Sequence, residues 1–497
     1  MAGYGFGMRI GVDASSRSGS RVRARTRPPV RGNANPGLRI LDAGKEPGAP
    51  LLARLRQIAA MPCVTEVLAL PDLHQKPHME VPSSLAITTS DAIVPEFTSV
   101  AVNDGMGVVV TDLDARELSP GRIVRLLTGL NRHASSNAFE ENRYSLSAAD
   151  LPAMLLEGGR AAARRYDLSA DALDCFEWGG CVPVPSAGEE WREAVPPVLL
   201  RSPAARSEMG LNFGGNHFLE LQVVDEVLDR ATAAAWGLAP GRVVIMYHLG
   251  PGPFGGTLLH HYSRREKLAA LRVPLLFLSK LHFHFLRRRG QGTALGKWNL
   301  HFRRNGWTAY PAGSEEGLLL RQAIAMATNF GFAYRTATVA AIRDVVRETL
   351  SPTVGTRLLC DVSHNGIYEE RWGDGTAWVA RHNACRLDRG GPSIVAGAHD
   401  VASFLGLGRP DAPEELHSYD HGAGHLIETW RRDHPLTVTG TTTTRLRMTR
   451  GPRGRVVARD LLPVGSPEPI DGLMDCLARH RVMDPVVRLR PVGTLKN

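Results

Sequence analysis

From Ile40 onward the chain alternates short apolar, β-branched runs with turns rich in glycine and proline. Ser84–Thr88, Ser99–Val102, Gly107–Val110, Val243–Tyr247 and Arg357–Val362 read as strands, because such runs fit a pleated, half-buried surface and the turns punctuate them. One segment has a different period. Between Leu318 and Leu350, apolar residues at Ile324, Ala327, Phe330, Tyr334, Val339, Ile342 and Val346 fall at helical spacing and predict one long helix. Leu151–Tyr166 and Asp471–His480 are shorter helix candidates. No internal repeat is present, and no long polar linker follows residue 40. The pattern predicts an α+β fold, with residues 37–497 forming one large catalytic domain. Residues 1–36, carrying Arg17, Arg21, Arg23, Arg25, Arg27 and Arg31, are expected to form a basic, disordered tail. The arginine-rich stretch 284–304 is expected as a surface loop or insertion.

Composition narrows the class. The chain has 497 residues, 43% hydrophobic and 22% charged, as in a soluble globular protein. Its net charge of +9 favours an anionic partner such as nucleotide or nucleic acid. The charge is carried almost wholly by arginine, since the lysines are only Lys45, Lys76, Lys267, Lys280, Lys297 and Lys496. That bias also fits the coding habit of a GC-rich genome. The six cysteines form no CxxC pair, so a zinc ribbon or disulfide framework is not indicated and a reduced, cytoplasmic setting is expected. The most apolar stretch, Leu268 to Leu286, is broken by Arg272, Pro274, Lys280, His282 and His284 and does not read as a membrane span.

The candidate chemistry lies in histidines at strand ends. His217 sits in Asn212-Phe213-Gly214-Gly215-Asn216-His217-Phe218-Leu219-Glu220. His248 ends the run Val243–His248, just before a glycine loop. His364 sits in Cys360-Asp361-Val362-Ser363-His364-Asn365. A strand end opening into a loop presents a side chain to a cleft from a rigid base, and three imidazoles suit a borderline divalent ion. Near the C-terminal end, Asp420-His421-Gly422-Ala423-Gly424-His425 sets a reactive imidazole beside bare backbone that a phosphate could approach. Asn103-Asp104-Gly105-Met106, between two predicted strands, holds an acidic residue that is either an oxygen ligand or a turn former.

Taken in order, these segments resemble the RtcB family of RNA ligases. The resemblance runs from Pro71-Asp72-Leu73-His74 through Gly215-Asn216-His217-Phe218-Leu219-Glu220, Ala327-Thr328-Asn329-Phe330 with Tyr334-Arg335, Asp361-Val362-Ser363-His364-Asn365 and His421-Gly422-Ala423-Gly424 to Lys496-Asn497. It implies mixed or antiparallel sheets flanked by helices. It also implies joining of an RNA 3′-phosphate or 2′,3′-cyclic phosphate end to a 5′-hydroxyl end through a guanylyl–histidine formed from GTP. On this resemblance His421 is the nucleophile. His217, His248, His364 and Asn103 take the family's Mn2+-ligand positions. Asn216, Glu220, Asn365, Ser403, Gly422, Ala423, Gly424 and Lys496 take positions that hold the guanine nucleotide. An archease-type activator is associated with the family and leaves no readable trace in this sequence.

The chain departs from that pattern at the site itself. Asn103 stands for a carboxylate and Met106 for a thiolate, which should weaken a second metal position because a neutral thioether is a poor manganese ligand. His382, Ala398, His425 and Gly252 replace other polar or basic family residues, and Asn383 replaces a glycine. Two alternatives therefore stay open: a non-ligating relative that binds RNA ends or nucleotide, and a single-metal cyclic phosphodiesterase.

Overall fold

The computed structural model describes residues 37–43, 46–76, 79–134, 140–185, 188–211, 217–263, 273–288, 292–302, 307–398, 400–433, 444–450, 456–463 and 468–496. The expected tail 1–36 lies outside them. Two large sheets and one long helix dominate the fold. In the larger sheet the strands run in the order Pro392–Val395, Ser403–Gly408, Met483–Lys496, Phe218–Val227, Arg242–Leu249, Gly105–Asp114 and Thr356–Ser363, each antiparallel to its neighbour. Thr444–Arg450 adds a parallel pairing along the end of Met483–Lys496. The second sheet orders Leu38–Ile40, Val64–His74, Ser83–Thr89, Gly375–His382 and Asn365–Trp372, parallel only in its first pair. The α+β expectation, with mixed and antiparallel sheets flanked by helices, matches this architecture.

The long predicted helix is Glu315–Thr349. Its first turn is satisfied at Ser314, whose hydroxyl accepts from the Gly317 N–H at 3.0 Å, and Glu315 and Glu316 oppose the helix dipole there. Most of its surface is buried, polar residues such as Asn329, Arg335, Thr336 and Thr338 included, so it is an axle of the core and not a surface helix. Small residues let neighbours come close. A Cβ on Gly331 would stand 2.7 Å from the Asn103 Cβ.

Other predicted elements shift in detail. Leu151–Tyr166 is two helices, Asp150–Glu157 and Gly159–Arg165, broken at Gly158, which has a φ of 56°. Ser99–Val102 is a turn and not a strand, with the Val102 N–H closing on the Val100 carbonyl. The stretch expected as a loop at 284–304 contains the end of a π-helical segment, His282–Arg287, and a helix, Ala294–His301, with His284 and His301 buried. His284 and His301 pack inward while Trp298 stays exposed, a division that arginine content alone hides. Among the described residues no helix is long and apolar enough to cross a membrane.

An ion pair ties the axle to the larger sheet. The Arg335 Nε–H meets both Asp361 oxygens at 2.9 and 2.8 Å, and both side chains are wholly buried. The Tyr247 hydroxyl donates to the same carboxylate. The rest of the guanidinium reaches the Asn103 carbonyl and side-chain oxygen. Removing one partner of such a pair leaves an uncompensated charge in the core. Arg335→Met is expected to cost about 3–5 kcal/mol of stability, read as a lowered denaturant midpoint; a change under about 1 kcal/mol would show the pair to be energetically idle.

A second buried carboxyl sets a pH dependence. Glu208 accepts from the Gly252 and Phe254 N–H groups, both at 3.1 Å. Burial nevertheless pushes its pKa up from 4.5 to about 8. The folded state then binds this proton more tightly than the unfolded chain, so this group's contribution falls as pH rises from 4.5 towards about 8. Glu208→Gln should flatten the decline of melting temperature across that window, and an unchanged slope would assign the dependence to other groups.

Candidate active site

Four strand ends meet at one place. Gly105–Asp114, Arg242–Leu249, Phe218–Val227 and Thr356–Ser363 are neighbours in the larger sheet, and register sets Met106 opposite His248 and Phe218 opposite His248. His217, His248 and His364, far apart in sequence, therefore converge. The His248 and His364 Nε2 atoms are 3.3 Å apart, and their ring centroids 4.8 Å. His217 lies beside His248, with ring centroids 5.5 Å apart.

The carboxylate at this cluster is Asp104, not Asn103. Its Oδ2 lies 3.0 Å from His217 Nε2 and 3.7 Å from His364 Nε2. Asn103, expected as a metal ligand, is turned away. It has a φ of 59°, its side-chain N–H donates to the Thr328 carbonyl at 2.6 Å, and its oxygen faces Arg335 and the Tyr368 hydroxyl. An extended segment would alternate the two side chains with Asn103 inward. The left-handed residue breaks that alternation, and Asp104 turns in. The Asn103 N–H to Asn365 carbonyl bond (2.7 Å) and the His364 N–H to Asp104 carbonyl bond (2.9 Å) lock the turn.

Two groups of ligand atoms that share His248 lie close enough to hold a divalent ion, Asp104 with His217 and His248, and His248 with His364 and His421. Burial opposes a charge on His217, but the Asp104 carboxylate outweighs it and raises this imidazole above its ordinary value. His217 Nδ1, His364 Nδ1 and Asp104 Oδ1 are buried without a hydrogen-bond partner. Burial pushes His248 and His364 well below the usual imidazole range, which keeps them neutral as ligands must be. Burial would also raise Asp104, but the neighbouring His217 outweighs it and holds the carboxyl far below its ordinary value. Met106 is fully buried in the core beside this group and offers only a thioether.

His421 stands against the same cluster. Its ring stacks on His364 at 4.7 Å and lies 5.8 Å from that of His248. Its Nδ1 is 3.1 Å from the Asn383 carbonyl. A carbonyl only accepts, so Nδ1 carries the proton and Nε2 keeps its lone pair. Burial first, then the Lys76 charge, lowers its pKa to about 3, so the ring is neutral near pH 7. After it, Gly422 threads past Ala396, whose carbonyl would be 2.6 Å from any Cβ there, and the helix Gly424–Asp433 begins.

A cavity of about 490 Å3 opens beside His421. Its lining includes Glu220, Gly422, Gly424 and Lys496, all expected at the nucleotide, and also Lys76, Glu428 and Arg431. Asp72 caps the helix at the cavity floor, accepting from Leu426 N–H at 2.8 Å and His425 N–H at 3.3 Å. The rings of His74 and His425 stack at 4.4 Å along the same wall. Lys76 and Lys496 are both half-buried or more, and burial lowers both ammonium groups.

Three further expected residues stand behind this wall. Ser403 accepts from the Gly397 N–H at 3.0 Å and meets Gln222, which bridges to Glu220 at 2.7 Å. Ala423 is core, its N–H on the Ala396 carbonyl. Asn365 does not line the cavity; its side-chain oxygen holds the Asn383 N–H at 3.0 Å, beneath His421. Asn216 lies outside the described residues. Lys76 was not singled out from the sequence. The usable signal was its rarity: it is one of six lysines in an arginine-rich chain, two residues past Pro71-Asp72-Leu73-His74.

Known proteins give this geometry a context. A family model described as tRNA-splicing ligase RtcB matches residues 54–497. The tRNA-splicing ligase RtcB of Archaeoglobus fulgidus is 24% identical over 469 residues, covering 88% of this chain and 89% of that protein. The RNA-splicing ligase RtcB2 of Escherichia coli is 24% identical over 453 residues, covering 90% and 92%. The tRNA-splicing ligase RtcB of Pyrococcus horikoshii is 25% identical over 425 residues, which are 80% of this chain but only 44% of that longer protein.

If Asp104 supplies the anionic ligand, Asp104→Ala should weaken Mn2+ binding at least tenfold in calorimetry, on the order expected for losing a ligand or its support. Unchanged affinity would return the role to Asn103.

Proposed function

The chain belongs to the tRNA-splicing ligase RtcB family, and from that premise we propose that it is an RNA ligase joining 3′-phosphate or 2′,3′-cyclic phosphate ends to 5′-hydroxyl ends at the expense of GTP. The observation that carries the reading is His421: a neutral imidazole with its Nε2 lone pair free, between a metal-competent cluster and a cavity rimmed by Lys76, Lys496 and Arg431.

The residues supply each requirement of that reaction. The Asn383 carbonyl fixes the His421 tautomer, leaving Nε2 to attack the α-phosphorus of GTP. An N–P bond forms, a P–O bond breaks, and pyrophosphate leaves. The guanylyl group then passes to an RNA 3′-phosphate oxygen and frees Nε2. Attack by the 5′-hydroxyl on the RNA phosphorus expels GMP, loses its proton and leaves a phosphodiester. A cyclic phosphate end is first opened by water. Lys76, Lys496 and the start of the helix Gly424–Asp433 favour the phosphate charge. Glu220, held by Thr494 and Gln222, offers a fixed acceptor for a base or ribose. Asp104, His217, His248 and His364 would hold a divalent ion such as Mn2+, which neutralises phosphate charge and supplies a Lewis acid when bound.

Met106 favours a second reading. With a thioether opposite His248, the group of His248, His364 and His421 has no anionic donor, so the group that holds Asp104 suits a divalent ion better and one ion is favoured over two. One ion could open a cyclic phosphate without ligation, so the protein would be a phosphodiesterase.

Incubation with α-labelled GTP and Mn2+ separates the two. Ligation requires an acid-labile protein–GMP adduct that His421→Ala abolishes, and GTP-dependent joining of a 3′-phosphate end to a 5′-hydroxyl end. Cyclic-phosphate opening without GTP, with no adduct and no joining, would sink the ligase and leave the phosphodiesterase.

A further inference from the structure

A second cluster lies away from this site, where the 273–302 region meets the start of the central helix. His284 is in the π-helical segment His282–Arg287, His301 ends the helix Ala294–His301, and Glu316 is in the first turn of Glu315–Thr349. One ligand atom from each lies within 4.8 Å of the others. His284 is 0% and His301 1% exposed. Their rings stack at 3.5 Å.

Hydrogen-bond bookkeeping gives the cluster its meaning. His284 Nε2 is 2.7 Å from the His261 carbonyl, which only accepts, so Nε2 carries the proton and Nδ1 is a bare lone pair. His284 Nδ1 is buried and has no hydrogen-bond partner. The Tyr310 hydroxyl donates its one proton to the Tyr262 carbonyl, so towards His301 Nδ1, at 3.0 Å, it accepts. His301 Nδ1 therefore carries the proton, and Nε2 is the second bare lone pair. That atom faces Glu316 Oε2 at 3.3 Å. Two imidazole lone pairs converge in a buried space on a carboxylate whose Oε2 already accepts from Arg288 Nη1 at 2.7 Å; the lone pairs themselves meet no donor, and acceptors that face one another repel unless a cation sits between them.

We propose that His284, His301 and Glu316 bind a zinc ion that fastens the 273–302 region to the amino end of the central helix. Two neutral imidazoles and one carboxylate are zinc donors, with a fourth position left for water. Each ligand has a hydrogen-bond partner behind it: the His261 carbonyl for His284, the Tyr310 hydroxyl for His301, and Arg288 Nη1 at 2.7 Å for Glu316. Arg288 also lies 3.8 Å from Glu315, so it keeps a carboxylate when Glu316 turns to metal. Stacked rings require one imidazole to rotate as the ion enters.

The test uses the full chain with the first cluster removed by His248→Ala and His364→Ala, dialysed against Zn2+ and assayed for metal. About one zinc per chain should remain, and Glu316→Gln or His284→Ala should release it. Co2+ in the same background should give tetrahedral d–d absorption that either substitution abolishes. Zinc should also raise the melting temperature by several degrees only while the three residues are intact. If the background fails to fold, otherwise wild-type protein and His284→Ala are compared, and their zinc content should differ by about one ion. Equal zinc content, or a His301 ring shown by nitrogen NMR to be doubly protonated at pH 7, would overturn the proposal. None of these readouts depends on ligation.

Discussion

The contact between Arg335 and Asp361 is the constraint from which the site follows. A guanidinium with no access to water must satisfy all its donors inside the protein, and here it does so across three elements. It joins the central helix to the strand that ends in His364 and grips the turn that holds Asp104. The hydroxyl of Tyr247, one residue before His248, closes on the same carboxylate. One buried charge pair thus sets the mutual position of three donors contributed by separate strands. The pair is costly to bury, and its return is the fixed registry of the site rather than net stability.

Inside the site, burial and charge work on different groups. Desolvation keeps His248 and His364 neutral and lowers Lys76, while the contact between His217 and Asp104 moves the imidazole up and the carboxyl down. The outcome is a pocket with neutral nitrogen donors beside one His217–Asp104 charge pair, and lysine stems along a single wall. On the proposed ligase reading, a triphosphate would bring negative charge to that wall. Glu428 and Glu220 on the same lining limit where that charge can settle.

Much of this was legible in the sequence, for physical reasons. Strands ending in His-Gly or His-Asn segments betray themselves by β-branched runs, and the central helix by its period, so His217, His248, His364 and His421 could be gathered before any coordinates. The choice between Asn103 and Asp104 could not be made that way. It depends on a single left-handed residue that Arg335, more than two hundred positions later, holds in place. Asn365 and Ser403 were expected at the nucleotide with the lining residues yet stand one layer behind them, a distinction of depth that linear spacing does not encode. The 284–304 stretch misleads because its arginines are prominent while its buried histidines are read as isolated.

The strand Met483–Lys496 has a consequence for synthesis. It occupies the interior of the larger sheet, between Ser403–Gly408 and Phe218–Val227, and its end delivers Lys496 to the cavity. A ribosome releases those residues long after Phe218–Val227 and Arg242–Leu249. Until they emerge, the earlier strand presents an open edge of unpaired N–H and C=O groups. The sheet therefore closes late and through contacts distant in sequence, which slows folding and lengthens the exposure of that edge. The cavity beside His421 gains its Lys496 wall only in the event that closes the sheet.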